Sequence, residues 1–493
     1  GTTLAAAAIA GSAIFLEITI VGVALPAIVR QFDVSAVAAS WTVTAYTLAL
    51  AAAVVPLGRL GDRIGRRRVL LWGLALRVMS SLACAAAPTL PLLILARSLQ
   101  GLAAAALMPT TQALVTSAYP PDQRGRALGR MAGVQAVVFA SGPVIGGALI
   151  AGPGWRWVFL VIAPLAAFAA LLVWRVVPRD AAPRPEITVE PMPSLWLALA
   201  ATMITLAGVE ARSWGAVPFL SLLGAGLFCA WQFVRADARS RSPLLDPRLT
   251  RNPIFVAGLS GGFIYQFGLL SLSVVLLALF QTAFGMSASQ SGLAFLPVSL
   301  PLIPAAFVVG PWVDRVGPRK PLLLGIGCVT VGIAATAALA VTQSYLAVLP
   351  GLLLVGIGIP LCVTPIQVMA VAHAPDAVRG LEGAALSLVR QIGGAIGVAL
   401  LSTVAALAET RRLDRLLAGL GGVEGRDLTN LAMQRPGAQQ ALEALPAEQQ
   451  HAVQAMAEAA SVEATAIALC VGAGVFLLAL ALVARLSARA PSG

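Results

Sequence analysis

The chain has 493 residues, of which 59% are hydrophobic and only 11% are charged, and its formal net charge is +12 at pH 7. Charged residues make up about a quarter of a typical soluble domain, so this composition excludes a soluble globular protein. The basic residues stand in short gaps between apolar runs, where they orient helices across a bilayer, and nucleic acid is therefore not expected as a partner.

Apolar segments recur along the whole chain, and each is about long enough to cross a hydrocarbon core of roughly 30 Å. The pattern predicts an all-α polytopic membrane protein with fourteen transmembrane helices. The predicted spans are residues 4–29, 38–58, 68–87, 90–112, 128–151, 155–177, 193–210, 215–235, 253–280, 288–310, 319–341, 345–371, 381–407 and 461–486. The first run has no basic stretch or cleavage signature before it and is interpreted as a retained helix.

The gaps between the predicted spans differ in charge. Those after even-numbered spans are rich in arginine, whereas those after odd-numbered spans carry mostly single arginines. Arginine-rich loops remain on the cytoplasmic side. We therefore expect a multi-pass membrane protein with both termini in the cytoplasm. The long last gap, 408–460, has helical composition, and two interpretations stay open for it: a solvated connector or a lid over the outer mouth.

Glu17 stands in the middle of the first predicted span, roughly 15 to 20 Å from either end. A charge at this depth costs at least about 2.5 to 3.5 kcal/mol, so the acid should face a cavity or bind a proton. Arg97, near the outer end of the fourth span, is the expected positive counterpart. The pair either exchanges protons or is a static ion pair that joins two helices. Arg77 also lies in the middle of a span, and the sequence assigns it no role.

The stretch "GRLGDRIGRRR" (58–68) is repeated as "GPWVDRVGPRK" (310–320). The matched positions pair Gly58, Asp62, Arg63, Gly65, Arg67 and Arg68 with Gly310, Asp314, Arg315, Gly317, Arg319 and Lys320. A weaker echo pairs residues 121–129 with 375–383. The chain is therefore predicted to contain two similar six-span halves, 1–178 and 251–493, with two inserted spans and their linkers at 179–250. In transporters built from parallel halves, the substrate site lies at their interface.

Several motifs carry a resemblance to a known family. "GRLGDRIGRRRVLL" (58–71), "RSLQGLAAA" (97–105) and "GVQAVVFASGPVIGG" (133–147) resemble motifs of the major facilitator superfamily. With fourteen predicted spans, the chain resembles its fourteen-helix drug:proton antiporter branch over essentially its whole length. That branch usually has aspartate where Glu17 stands and asparagine where Gly22 and Ile162 stand, so the carboxylate is kept here and two amides are lost.

The resemblance implies roles for particular residues. Glu17 and Arg97 would couple transport to protons. Asp62 would stabilise the outward-facing state by contacting the N-terminus of the thirteenth span, near Arg379, although it could also serve only to fix the topology. The residues assigned to gating in this way are Gly58, Asp62, Arg63, Gly65, Arg67, Asp314, Arg315, Gly142, Pro143, Gly146 and Gly147. For the glycines of 133–147, ordinary helix packing is the alternative to sealing the outer route.

A pocket between the halves is expected to draw on the first, second, fourth, fifth, ninth, tenth and thirteenth spans. The candidate lining residues are Trp41, Tyr46, Met108, Gln112, Tyr265, Gln266, Phe267 and Arg390. Aromatic and methionine surfaces suit bulky amphipathic molecules. With Glu17 as the only deeply buried carboxylate, neutral or singly cationic lipophilic substrates are predicted.

The leading functional hypothesis is proton-coupled efflux of lipophilic or amphipathic drugs or antibiotics by alternating access. Export of a lipid or siderophore-like metabolite by the same mechanism is an alternative, and a non-transporting membrane sensor is an alternative from another class. No nucleophile, base and metal constellation is recognisable, so the sequence predicts neither an enzyme nor a metal or cofactor site. The expected partners are protons, lipophilic small molecules and the lipid bilayer, and the expected oligomeric state is a monomer.

Overall fold

The computed structural model describes residues 2–180, 190–214, 216–240, 243, 252–282, 284–286, 288–371, 379–417 and 447–488, and no strand occurs among them. The helices are α1 (Thr2–Phe32), α2 (Ala36–Ile64), α3 (Arg66–Ala86), α4 (Leu90–Ala118), α5 (Arg124–Ala151), α6 (Arg156–Leu160), α7 (Ile162–Val176), α8 (Pro191–Trp214), α9 (Ala216–Asp237), α10 (Pro253–Thr282), α11 (Ala288–Ala294), α12 (Leu296–Ser299), α13 (Leu302–Val316), α14 (Arg319–Ala340), α15 (Tyr345–Val371), α16 (Arg379–Leu417) and α17 (Ala447–Ala488).

The apolar sequence accounts for the helical fold. In hydrocarbon no water pairs with the backbone, so an isolated segment must satisfy its own N–H and C=O groups, and a helix does this. Every predicted span coincides with helix in the structure: α6 and α7 together form the sixth, and α11 to α13 form the tenth. The all-α polytopic fold class is confirmed.

The predicted number of fourteen spans is not confirmed. Within the described residues, twelve helices are long and apolar enough to cross a membrane, and a bent pair, Gln290–Ala305 with Phe307–Val316, would be a thirteenth. The two parts of this pair differ in direction by 55°, in a segment where prolines remove backbone hydrogen bonds. The seventh predicted span, residues 193–210, lies within α8, and the described apolar part of that helix, Pro191–Ala207, is shorter than the other spans.

The two halves meet mainly where α2 packs against α16 and where α5 packs against α13. Contacts of α4 with α16 and of α5 with α15 add to these two seams. The inserted helices α8 and α9 pack on each other, and α8 also contacts both α2 and α16, so it flanks one of the two seams. The domain boundaries at residues 178 and 250 stay a prediction.

One end of the bundle carries both repeated stretches, 58–68 and 310–320, and is called the motif end below. A buried apolar cluster there joins the halves, with Leu4, Val115 and Leu128 on one side and Val309 and Val313 on the other. Toward the opposite end, the buried cluster around Leu16, Ile20 and Ala24 draws only on the first half. In this conformation the halves are therefore joined through the motif end.

The helices flanking the long last gap extend beyond the predicted spans. Helix α16 continues to Leu417, and α17 already begins at Ala447. Arg412 of α16 forms an ion pair with Glu463 of α17, with 2.8 Å between Nε and Oε2. The central part of the predicted connector or lid, residues 418–446, lies outside the described residues.

Candidate functional site

Glu17 lies in the middle of α1 and is fully buried, with 0% of its surface exposed. Its side chain faces α3 and α4. One carboxylate oxygen is paired with Arg97 of α4, as the sequence predicted for this partner, and the other is paired with Arg77 of α3. The structure thus brings together one carboxylate and two guanidinium groups, of which only one was expected.

Several of the other donors of the two arginines are bound by polar groups of the same half. Arg97 donates from Nε to the carbonyl oxygen of Thr42, at 2.9 Å, and from Nη1 to Oε1 of Gln100, at 2.9 Å. Its guanidinium also lies over the ring of Tyr46, 4.6 Å from the ring centre. Arg77 donates from Nη2 to the carbonyl oxygen of Ala13, at 2.8 Å. These contacts fix the geometry of the cluster on four helices, α1 to α4.

Gln100 organises the far side of this cluster. While its Oε1 accepts from Arg97, its Nε2 donates to the hydroxyl of Ser81, at 2.9 Å. Cys84 donates from Sγ to the same Oε1, at 3.2 Å. Both arginines are nearly as buried as the acid, so the cluster holds two positive charges and one negative charge where water does not reach. Removing Glu17 would leave two buried positive charges without a counter-charge, and breaking a buried pair in this way typically costs about 3 to 5 kcal/mol.

A cavity lies between the two halves, and it is separate from the Glu17 cluster. Its lining comes from α1, α5, α10, α13, α15 and α16, and consists of Phe15, Ala132, Gln135, Ala136, Phe139, Tyr265, Leu269, Leu302, Pro360, Val363, Thr364, Gln367 and Arg390. Phe15 and Glu17 are on different faces of α1, so Glu17 is not part of this lining. The sequence left open whether the acid faces a cavity, and it does not face this one.

Two of the eight candidate lining residues, Tyr265 and Arg390, line this cavity. The other six are placed elsewhere: Tyr46 stacks on Arg97, Phe267 is buried in the core of the second half, and Trp41, Met108, Gln112 and Gln266 are not part of the lining. The expected contributions of α2 and α4 are thus absent from this cavity. Helix α15 contributes instead, and its sequence carries little signal for this role because its polar residues are scattered in an almost uniformly apolar run.

Arg390 is held at the cavity by its neighbours on α10. Its guanidinium lies 4.7 Å from the ring centre of Tyr265, and its Nη2 is 3.3 Å from Oε1 of Gln266. Gln266 therefore acts behind the lining by orienting the arginine. No carboxylate within the described part of the chain is paired with Arg390.

At the motif end, two acids at equivalent positions of the repeat each bind the start of a helix in the other half. Asp62 accepts a hydrogen bond on Oδ2 from the backbone N–H of Leu381 in α16, at 2.9 Å. Asp314 accepts from the backbone N–H groups of Gly125 and Arg126 in α5, at 2.8 and 2.9 Å. Helix N-termini attract negative charge. The two contacts therefore join the halves reciprocally.

The other predicted gate residues have different surroundings. Asp62 is paired with Arg66, at 2.9 Å, whereas Arg63 and Arg315 are exposed. Gly65 ends α2 with φ of 115°, a conformation that favours glycine. Gly58 is buried in α2.

An acid that the sequence did not single out, Asp180, binds the start of α3. It accepts hydrogen bonds from the backbone N–H groups of Arg67 and Arg68, both at 2.9 Å. Asp180 follows α7 and stands at the start of the linker after the first half, to which α3 belongs. Unlike those of Asp62 and Asp314, its two hydrogen bonds do not reach the second half.

The glycines of α5 let it approach α1 one turn from Glu17. A Cβ on Gly142 would lie 1.8 Å from Oγ1 of Thr19, and one on Gly146 would lie 2.9 Å from Cγ1 of Ile20. Gly147 has nothing within 4 Å of a Cβ position. The side chain of Pro143 lies outside the described residues. Close packing of α5 on α1 therefore depends on Gly142 and Gly146 and not on Gly147.

The described residues contain no group of three or more His, Cys, Asp or Glu side chains that could hold a metal ion. The site accordingly consists of the buried Glu17 cluster, the cavity between the halves and the paired acids of the motif end.

Comparison with known proteins was made with both sequence and structure. The chain is 33% identical over 401 residues to the drug efflux pump JefA of Mycobacterium tuberculosis, covering 80% of this chain and 78% of that protein. It is 33% identical over 403 residues to the puromycin resistance protein pur8 of Streptomyces alboniger, covering 79% of each. Among solved structures, it resembles the human organic anion transporter MFSD10, with a TM-score of 0.68, 14% identity and coverage of 98% of this chain and 99% of that one.

The family model described as Major Facilitator Superfamily matches residues 7–398. This match covers most of the chain and includes α1 to α15 and the first half of α16. The chain belongs to the major facilitator superfamily.

Proposed function

We propose that this protein exports amphipathic small molecules, such as drugs or antibiotics, across the bacterial cytoplasmic membrane in exchange for protons. The observation that carries the proposal is the Glu17 carboxylate, buried in the first helix and shared by two arginines, in a conformation whose halves are joined at the motif end. The efflux and resistance proteins to which the chain is similar support the same conclusion.

The orientation belongs to the proposal as well. The motif end carries the arginine-rich connections, so it faces the cytoplasm, with both termini on that side. The conformation described above, with its halves joined at that end, is then the outward-facing state. We take a single chain to be the working unit.

The coupling step is the binding of a proton to Glu17. A protonated carboxyl has no net charge, so it releases its hold on Arg77 and Arg97, and α1 becomes free to move relative to α3 and α4. Glu17 is separate from the cavity, so substrate and proton influence each other through the position of α1 and not by direct contact.

The structure offers a route from this step to the motif end. Helix α1 packs on α5 through Thr19 against Gly142, and the first residues of α5 bind Asp314 of the other half. A shift of α1 therefore moves the helix whose N-terminus is held in the joint between the halves.

The energy that one proton supplies is comparable with the energy of the contacts that close the motif end. Each helix-terminus contact stabilises the closed motif end by about 0.3 to 2 kcal/mol. Moving one charge across a membrane potential of 100 mV supplies about 2.3 kcal/mol. One proton is therefore enough to shift the equilibrium between the two openings without either state being locked.

The test uses purified protein in liposomes with an internal pH dye and indole-3-acetamide, a neutral aromatic molecule that does not titrate, as the probe. In wild type, an imposed pH gradient should drive accumulation of this probe, and the probe should dissipate the gradient. Glu17→Gln should lose both effects and keep exchange of labelled for unlabelled probe, because the glutamine side chain cannot titrate. The matched control is Glu463→Gln, an acid of α17 with 41% of its side chain exposed, which should retain both effects.

Proton-driven accumulation that persists in Glu17→Gln would refute the coupling mechanism. Binding of indole-3-acetamide without any exchange in wild type would indicate a sensor and refute transport.

A further inference from the structure

We infer that the cavity between the halves selects amphipathic aromatic monoanions, with Arg390 binding the anionic group of the substrate. This inference rests on the proposed export function and names the substrate class of the same cavity. It replaces the expectation of neutral or singly cationic substrates, which assumed that Glu17 faces the substrate.

The lining of the cavity carries a net positive charge. Among the lining residues, Arg390 alone carries a charge at neutral pH, and it is positive. The buried acid of the first helix faces away from this cavity, toward its own two arginines. A cationic substrate would therefore meet a like charge and no compensating carboxylate in the lining.

The guanidinium of Arg390 is held in a fixed orientation by its neighbours. Stacking on Tyr265 holds the guanidinium plane, and Gln266 accepts weakly from Nε and Nη2, at 3.4 and 3.3 Å. A guanidinium presents five N–H donors in a planar fork that matches a carboxylate. The two long contacts to one amide oxygen leave most of this donor capacity for a ligand.

A second polar group points to a ligand independently. Gln367 lines the cavity from α15, is only 3% exposed, and its Oε1 has no hydrogen-bond partner in the described structure. An unpaired buried acceptor is costly, so a ligand that offers an N–H or O–H group gains affinity here. Gln135 lines the cavity from the first half and is also buried.

The apolar lining defines the body of the ligand. Phe15 and Phe139 come from the first half, and Leu269, Leu302 and Val363 come from the second. Aromatic and aliphatic walls with a few polar groups bind a flat apolar body in a fixed orientation. Together these features fit an aromatic molecule with one carboxylate and one hydrogen-bond donor.

The test compares three probes with the same aromatic body and the same indole N–H: indole-3-acetate, indole-3-acetamide and tryptamine, which are anionic, neutral and cationic. Binding is measured by titration calorimetry on the full chain in detergent. We expect wild type to bind the acetate at least about tenfold more tightly than either other probe, since hydrogen bonds to charged groups are the stronger ones. 1-Methylindole-3-acetate, in which a methyl group replaces the indole N–H hydrogen, should bind more weakly than indole-3-acetate.

Variants of Arg390 test whether this residue causes the preference for indole-3-acetate. Arg390→Gln should reduce the acetate preference to less than about threefold, and Arg390→Lys should keep part of it, because the charge remains and the fork is lost. Arg130→Gln, at an exposed position of α5 outside the cavity, should keep the full preference. Equal binding of the three probes by wild type would overturn the inference, and so would an acetate preference that survives Arg390→Gln.

Transport distinguishes this inference from the function on which it rests. Export of one monoanion for one proton moves two positive charges inward, so indole-3-acetate should give about twice the current per molecule that the neutral amide gives. Proton-driven transport of the amide with no preference for the acetate would overturn only the substrate class. A clear acetate preference without proton movement would overturn only the proton coupling.

Discussion

The surroundings of Glu17 are formed by residues that lie far away from it in sequence. Glu17 and Arg97 were paired from the sequence because an acid and an arginine both lay deep in apolar spans. Arg77 was left without a role, although one signal was available: a buried arginine in a span without an acid needs a carboxylate from another helix. The sequence offers few such carboxylates, and the structure shows that two arginines share the same one.

Arg77 allows a test of the cluster that does not depend on transport. Arg77→Gln removes one of the two partners of Glu17 and the hydrogen bond to the carbonyl of Ala13, so the protein should lose about 1.5 to 3 kcal/mol of stability. In a Glu17→Gln background the same substitution should cost clearly less, because the charge that Arg77 compensates is already gone. Thermal unfolding in detergent measures both effects.

The control for that cycle is Arg130→Gln, an exposed arginine that should change the unfolding temperature little in either background. If the costs of Arg77→Gln and Glu17→Gln simply add, the two residues do not act as a pair.

At the scale of one element, α5 connects the buried cluster to the motif end. Its glycine-rich motif predicts close helix contact, and the glycines at 142 and 146 lie in close contact with α1. The sequence did not separate these two from Gly147, since spacing alone does not say which face of α5 meets α1. The cavity was harder to predict for the same reason: α10 and α15 are apolar all round, so periodicity does not identify their inner faces.

Alanine substitutions at neighbouring glycines test the role of α5. Gly142→Ala places a methyl group 1.8 Å from Oγ1 of Thr19, so α5 must shift away from α1, and we expect a clear fall in thermal stability and a proton leak in liposomes without substrate. Gly147→Ala meets nothing within 4 Å and should leave both properties unchanged or raise stability by up to about 1 kcal/mol through helix propensity. Equal effects of the two substitutions would contradict the packing described here.

At the scale of the whole molecule, the repeat found in the sequence has a direct structural counterpart. The two repeated acids each bind a helix start in the opposite half, and those starts belong to the weaker echo at 121–129 and 375–383, part of which lies outside the described residues. Helical architecture and the two-half organisation follow from local patterns, which one sequence carries. The number of spans is harder to predict, because apolar length alone does not show the bend of 55° in the tenth segment.

The paired acids make a prediction for the equilibrium between conformations. Asp62→Asn and Asp314→Asn each weaken one helix-terminus contact by about 0.3 to 2 kcal/mol, so each should increase the fraction of molecules with the motif end separated, and the double variant should increase it further. Spin labels at exposed positions 63 and 315, one in each half, would report this as a second, longer distance by electron–electron double resonance, in a background without native cysteines.

Asp180→Asn is the matched control for this experiment. It weakens a helix cap of the same kind that does not reach the second half, so it should lower stability without changing the distance distribution. A shift with Asp180→Asn equal to that with Asp62→Asn would mean that the distances report general loosening.

The joint between the halves binds main chain, and this has a consequence for how such a protein can change over time. Asp62 and Asp314 grip peptide N–H groups, so replacing the side chain of Leu381 or Arg126 does not remove the partner. Gly125 is the exception, because a methyl there would come 2.3 Å from Oδ1 of Asp314. Residues of the cavity lining can therefore change to accommodate new substrates, while the main-chain contacts that join the halves are retained.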